Sequence, residues 1–245
     1  MDGVITKTAA VHSLAWKKMF DEYLHHRERA YGEPFREFTH ARDYLSFVDG
    51  RPRYRGVDAF LKSRGINIPF GEPEDEPGKE TVCGLGNRKN QVFNKVLEED
   101  GVGVYDSTIE LIKQLLERGV KVGVATSSKN CAPILKKARI YHLFETQVDG
   151  VVSARLGLKG KPEPDIFTTA SDNLGVKYHR SIVIEDAVSG VQAGAKGHFG
   201  LVIGVARENN ALELKNNGAD FVVEDLSEIN VDDINNLICS KRGGR

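Results

Sequence analysis

Four short stretches of this 245-residue chain carry the residue types that phosphate chemistry needs. Asp2-Gly3 opens the chain, and Thr126-Ser127-Ser128-Lys129-Asn130 follows the apolar run VKVGVA. Lys161 sits in GKPEPD, and Glu185-Asp186 closes SIVIE. Taken singly, each has an ordinary structural role: a turn, a helix cap, a solvated loop and a second cap. Together they form a chemical set. Carboxylates at two strand ends suit a hard divalent cation such as Mg²⁺, which prefers oxygen ligands and commonly bridges to phosphate. A hydroxyl with neighbouring backbone N–H groups, plus one lysine, supplies donors for the remaining phosphate oxygens. Phosphoryl transfer asks mainly for this positioning and charge neutralisation.

Such groups meet only if strands place them. After Gly101, the runs VKVGVA (120–125), SIVIE (181–185), GLVIGV (200–205) and DFVVE (220–224) alternate with helical segments, the pattern of a parallel sheet covered on both faces. The first of these helices carries a capping-box pattern, Ser107-x-x-Glu110, and ends at Gly119. In an open parallel sheet, ligands bind beyond the carboxyl ends of the strands, where all four clusters fall. Before Gly101 the pattern is helical. Ala15, Trp16, Met19, Phe20, Tyr23 and Leu24 form an amphipathic stripe that ends near Gly32 and Pro34. A polar stretch to about Gly56, a short helix VDAFLKSR, the loop FGEPEDEPGKE and a helix over 80–100 follow. The expected organisation is therefore an α/β core from 1–10 and 101–240, a helical domain over 11–98, and a loose tail over 241–245.

The 34 basic and 35 acidic residues leave a formal charge of −1, so no global positive field is present to hold nucleic acid or an anionic membrane. No apolar run reaches the ~20 residues that span a bilayer, and the N-terminus lacks a secretory pattern. These features predict a cytoplasmic protein, expected to be a monomer. Cys83, Cys131 and Cys239 lack metal-ligand spacing and read as free thiols.

In sequence order, DGVITKTAAVHSLAWK, VGVATSSKN, GKPEPDIF and SIVIEDAVSGVQAG resemble the four motifs of the haloacid dehalogenase superfamily, and most closely its β-phosphoglucomutase-like branch. The resemblance covers nearly the whole chain and implies a Rossmann-like core with a helical cap inserted after the first motif. It implies a Mg²⁺-dependent phosphotransferase for sugar phosphates that works through an aspartyl-phosphate, as a mutase or a phosphatase. Asp2 matches the general acid/base, whose backbone carbonyl also reaches the metal. Thr126 and Ser127 match the phosphate-binding motif, with Ser128, Lys129 and Asn130 beside them. Lys161 matches the charge-neutralising lysine, and Asp186 the metal ligand, with Glu185 a direct or water-mediated contributor. In the cap, Thr8, His12 and Lys89 resemble residues that position the acid/base or sense closure. Arg51, Arg53 and Asn90 are candidates for gripping a distal phosphate or sugar hydroxyls.

The pattern departs from the family at two places. With Asp2 as the second aspartate of Asp-x-Asp, the nucleophile falls one position before Met1, and the first core strand is missing with it. The resemblance thus implies an N-terminally truncated sequence with negligible turnover as written, and unpaired strand edges inside the sheet. Lys7 stands where close relatives often carry an acid. The competing reading is a non-catalytic relative that binds a phosphosugar or a partner. A dinucleotide-binding enzyme is disfavoured, because no G-x-G-x-x-G follows a strand.

Overall fold

The computed structural model describes residues 1–243. The chain forms two units, Thr8–Gly101 and the combination of Met1–Lys7 with Val102–Arg245. The first is helical. Helix α1 (Ala9–Tyr31) buries Ala15, Trp16, Met19, Phe20, Tyr23 and Leu24, the stripe visible in the sequence. Gly32 ends it in the left-handed region at φ 68°, where a side chain would be strained, and its N–H bonds the Glu28 carbonyl. The polar stretch that follows holds a π-helix over His40–Val48, which buries Tyr44 and Val48 although little apolar periodicity announces it. Helix α2 (Arg53–Ser63) starts after Pro52, and α3 (Val82–Asp100) is capped by Thr81, whose hydroxyl accepts from the Gly84 N–H at 3.0 Å. Phe20, Phe38, Phe60 and Met19 lie fully buried at the centre of this unit. Each such side chain contributes about 1.5–3 kcal/mol.

The second unit has the α/β alternation that the strand pattern implies. Its elements are α4 (Asp106–Glu117), β1 (Gly123–Ala125), α5 (Cys131–Lys137), β2 (Thr146–Val148), α6 (Gly150–Leu156) and α7 (Asp165–Asn173). They continue with β3 (Ile182–Glu185), α8 (Val188–Lys196), β4 (Leu201–Val205), α9 (Ala211–Asn216), β5 (Phe221–Val223) and α10 (Val231–Gly243). Among the described residues the strand pairings are parallel. β1 pairs with β2 from Gly123–Thr146 to Ala125–Val148. β3 pairs with β4, and β4 with β5, in the order β3-β4-β5. Among the described residues these remain two separate sheets. Val148, Ile166, Val183, Val191, Val202 and Leu214 fill the core between strands and helices.

Three details differ from the sequence expectation. β2 has no apolar run to mark it, and its three residues are ordered by pairing with β1. Ser107 does not cap α4: Tyr105 occupies that position without a side-chain bond, and Ser107 lies within the helix. Lys241–Gly243 are not a loose tail but the last turn of α10, with Lys241 paired to Asp220. Residues 244–245 of that expected tail lie outside the described residues. No helix among the described residues is long and apolar enough to cross a membrane.

Candidate active site

Residues 1–7 fold into a tight turn before the chain enters α1. The Met1 carbonyl accepts from the N–H groups of Ile5 and Thr6 at 2.8 and 3.1 Å, and Thr6 bridges to Val104. The Thr108 hydroxyl donates to the Val4 carbonyl at 2.6 Å. This turn places Asp2 beside the end of β1, where the Thr126 hydroxyl donates to Asp2 Oδ2 at 3.2 Å. Thr126 is buried, and its oxygen also accepts from the Ser128 N–H at 3.1 Å. The Ser128 hydroxyl accepts from the Asn130 N–H at 3.2 Å, so residues 126–130 coil tightly into α5.

At the end of β3, Lys161 donates from Nζ to Glu185 Oε1. Their side chains are 5% and 4% exposed. Glu185 Oε2 accepts from the N–H groups of Asp186 and Ala187 at 3.0 and 3.2 Å, so both its oxygens are engaged by protein donors. Asp186 is different. Desolvation by the protein packed around its carboxyl pushes it up to about 6, against the pull of the Met1 amino group and Lys161, with Asp2 adding to the rise. Gly3, at φ 69°, lets the backbone pass there, since a Cβ on it would lie 1.7 Å from Asp186 Oδ2.

Two carboxylates, Asp2 and Asp186, thus lie within electrostatic reach of one another beside bare backbone. Among the described residues no group of three or more His, Cys, Asp or Glu gathers as a metal cage. The donor set nevertheless fits Mg²⁺, which takes one or two carboxylates and leaves its other positions to water and phosphate oxygens.

The helical unit brings its own residues together in pairs. Lys89, buried, lies 2.6 Å from His12 Nδ1 and over the rings of Trp16 and Phe93, while His12 stacks on Phe93. Thr8 is buried, and its carbonyl accepts the His12 N–H. Arg53 donates to Asn90 Oδ1 at 2.8 Å, and burial lowers the Arg53 guanidinium from its ordinary value. Arg51 does not join them; it is exposed and donates to the Ser46 carbonyl at 3.5 Å.

Sequence reasoning missed three supports of the α/β-unit cluster. The Asp149 carboxylate caps α6 while the Gly150 N–H donates to the Ser128 carbonyl at 2.9 Å, bracing the 126–130 loop from β2. A Cβ on Gly150 would lie 2.6 Å from the Ser127 carbonyl oxygen. The third support, Arg207, donates to the Gly3 carbonyl. Its signal was a lone cation just past a buried strand.

The family model for haloacid dehalogenase-like hydrolase matches residues 1–198. A β-phosphoglucomutase of Mycobacterium bovis is 43% identical over 232 residues, which cover 94% of this chain and 88% of that protein. A β-phosphoglucomutase of Bacillus subtilis is 31% identical over 237 residues, 95% and 90% of the two chains. Among solved structures, a β-phosphoglucomutase from Clostridium difficile superposes with a TM-score of 0.77 at 22% identity, covering 98% of this chain and 94% of that one.

Proposed function

This chain belongs to the haloacid dehalogenase-like hydrolase family, in its β-phosphoglucomutase branch, and on that premise we propose a Mg²⁺-dependent phosphotransferase acting on a sugar phosphate. The observation that supports this reading best is the gathering of Asp2, Thr126, Lys161 and Asp186 around the carboxyl ends of β1 and β3. In it, the Asp2 backbone carbonyl and the Asp186 carboxylate would hold the cation, which when bound would draw charge from the phosphoryl oxygens. The Thr126 hydroxyl and the Ser127 N–H bind the phosphoryl group. Lys161, steadied by Glu185, neutralises its charge. Asp2 holds or gives the proton at the sugar oxygen, a role that needs a carboxyl within hydrogen-bond reach of that atom. Within the helical unit, Arg53 and Asn90 are donors suited to a phosphate or to sugar hydroxyls. Mutase and phosphatase outcomes differ in whether a sugar hydroxyl or water takes the phosphoryl group.

Calorimetric titration with β-glucose 1-phosphate and glucose 6-phosphate, with and without Mg²⁺, tests the binding half. Affinity should rise with Mg²⁺ and fall at least tenfold in Thr126→Val. Phosphorus NMR tests the chemical half, on residues 1–245 and on the same sequence preceded by a strand ending in the first aspartate of Asp-x-Asp. Turnover is expected where that aspartate stands two positions before Asp2. Binding without turnover in both preparations would move the chain to the phosphosugar-binding alternative, and absence of Mg²⁺-dependent binding would overturn the assignment of the site.

A further inference from the structure

The turn that carries Asp2 is held from its far side by an arginine beyond residues 1–198. Arg207 lies two residues past β4, with its side chain 16% exposed. Its Nε donates to the Gly3 carbonyl at 3.1 Å. Its Nη1 donates to the Glu224 carbonyl at 3.0 Å and to Asp225 Oδ2 at 2.8 Å. The guanidinium lies 3.8 Å from the centre of the Tyr105 ring, and the Lys7 ammonium is 5.5 Å from the same ring. Asp225 is itself held by the Ser227 N–H at 2.9 Å. One planar cation thus ties the Asp2-Gly3 turn to the ends of β4 and β5 and to the start of α4.

This arrangement uses what only arginine offers. A guanidinium meets a carbonyl and a carboxylate at once in a fixed fork while stacking on an aromatic face, whereas a lysine ammonium is a point charge on a flexible stem. Gly3 needs such a restraint. It has no side chain to pack; its carbonyl fixes the Gly3–Val4 peptide, while its N–H, in the peptide that joins it to Asp2, donates to the Thr6 carbonyl at 2.9 Å, so a hold on the Gly3 carbonyl steadies the turn that carries Asp2. Misplacing a reacting or ligating group by about 1 Å is enough to cost on the order of a hundredfold in function.

We propose that Arg207 is a positioning residue for Asp2, with Tyr105 as its platform and Asp225 as its anchor. The proposal rests on the reading of Asp2 as a cation-binding and proton-transferring group. Mg²⁺ binding to the full chain, followed by titration calorimetry, tests it. Arg207→Met should weaken Mg²⁺ binding at least tenfold. Arg118→Met, which removes an ion pair to Asp232 remote from the turn, should stay within twofold of wild type. Arg207→Lys should recover only part of the loss. Methylguanidinium added to Arg207→Gly should restore binding where methylammonium does not, an effect that a general loss of stability would not give. If Arg207→Met does not fold, Arg207→Lys and the rescue carry the same test. Wild-type affinity in Arg207→Met or in unrescued Arg207→Gly overturns the proposal. If the wild-type chain takes up no Mg²⁺, the cation reading of Asp2 falls, and amide exchange decides on Arg207 alone. The Val4, Ile5 and Thr6 amides, which donate to the Met1 carbonyl, should then exchange at least tenfold faster in Arg207→Met while those of β4 do not change. Equal exchange overturns it.

Discussion

Replacing Lys161 by methionine should cost the protein more than any surface ion pair, because of what it leaves behind. The two side chains are 5% and 4% exposed, so Lys161→Met strands the Glu185 carboxylate away from water. That carboxylate has little room to turn out, since a Cβ on Gly190 would lie 2.3 Å from Glu185 Cδ. Removing one partner of a buried ion pair costs about 3–5 kcal/mol. Here the Asp186 and Ala187 N–H groups still bind Glu185 Oε2, which sets the expectation at the lower end, about 3 kcal/mol, or roughly a hundredfold in the folding constant. Urea unfolding followed by circular dichroism measures it. The double variant Lys161→Met with Glu185→Gln should regain at least half of the loss, because a neutral amide keeps the backbone bonds and needs no cation. A Lys161→Met protein within about 0.5 kcal/mol of wild type, a difference typical of exposed substitutions, would refute the reasoning. So would a double variant no more stable than the single.

Gly3→Ala should lower both the melting temperature and Mg²⁺ affinity. It forces a side chain into the left-handed region at φ 69° and a Cβ to 1.7 Å from Asp186 Oδ2, with backbone strain alone about 1–2 kcal/mol; an unchanged melting curve would argue against the described turn. Asp225 yields a pH signature. Burial works to raise its carboxyl, but Arg207 and the Ser227 N–H together hold it well below the usual carboxylate range. A depressed folded value contributes stability that is complete above the unfolded value near pH 4 and is lost as pH falls toward the folded one. Melting temperatures of wild type and Asp225→Asn should therefore differ most at pH 6, and the difference should shrink steadily as pH falls below about 4. Thiol labelling should separate the cysteines. Burial pushes Cys131 up to about 12, and Cys83 is buried, so iodoacetamide at pH 8 should modify Cys239 alone in the folded protein. Fast modification of Cys131 would contradict the packing at the start of α5.

What was legible in the sequence is what depends on neighbours in the chain. The α1 stripe from Ala15 to Leu24 shows a period of three and four, and those side chains are the ones buried. The strand-like runs ending at Ala125, Glu185 and Val205 announced a parallel α/β fold, and the polar residues after them pointed to the carboxyl ends of β1 and β3. Local pattern failed where long-range contacts override it. Thr146–Val148 becomes a strand only because β1 lies beside it. The same limit applies to the site. Sequence named Lys161, Glu185 and Asp186 as a set but not that Glu185 is taken up by Lys161 while Asp186 lies against Gly3, and it passed over Arg207 altogether. Periodicity and end signals follow from backbone geometry within a few residues. Which buried charge meets which partner is decided only when the folded chain brings distant groups into low dielectric, where each must find a counter-charge or hydrogen bond.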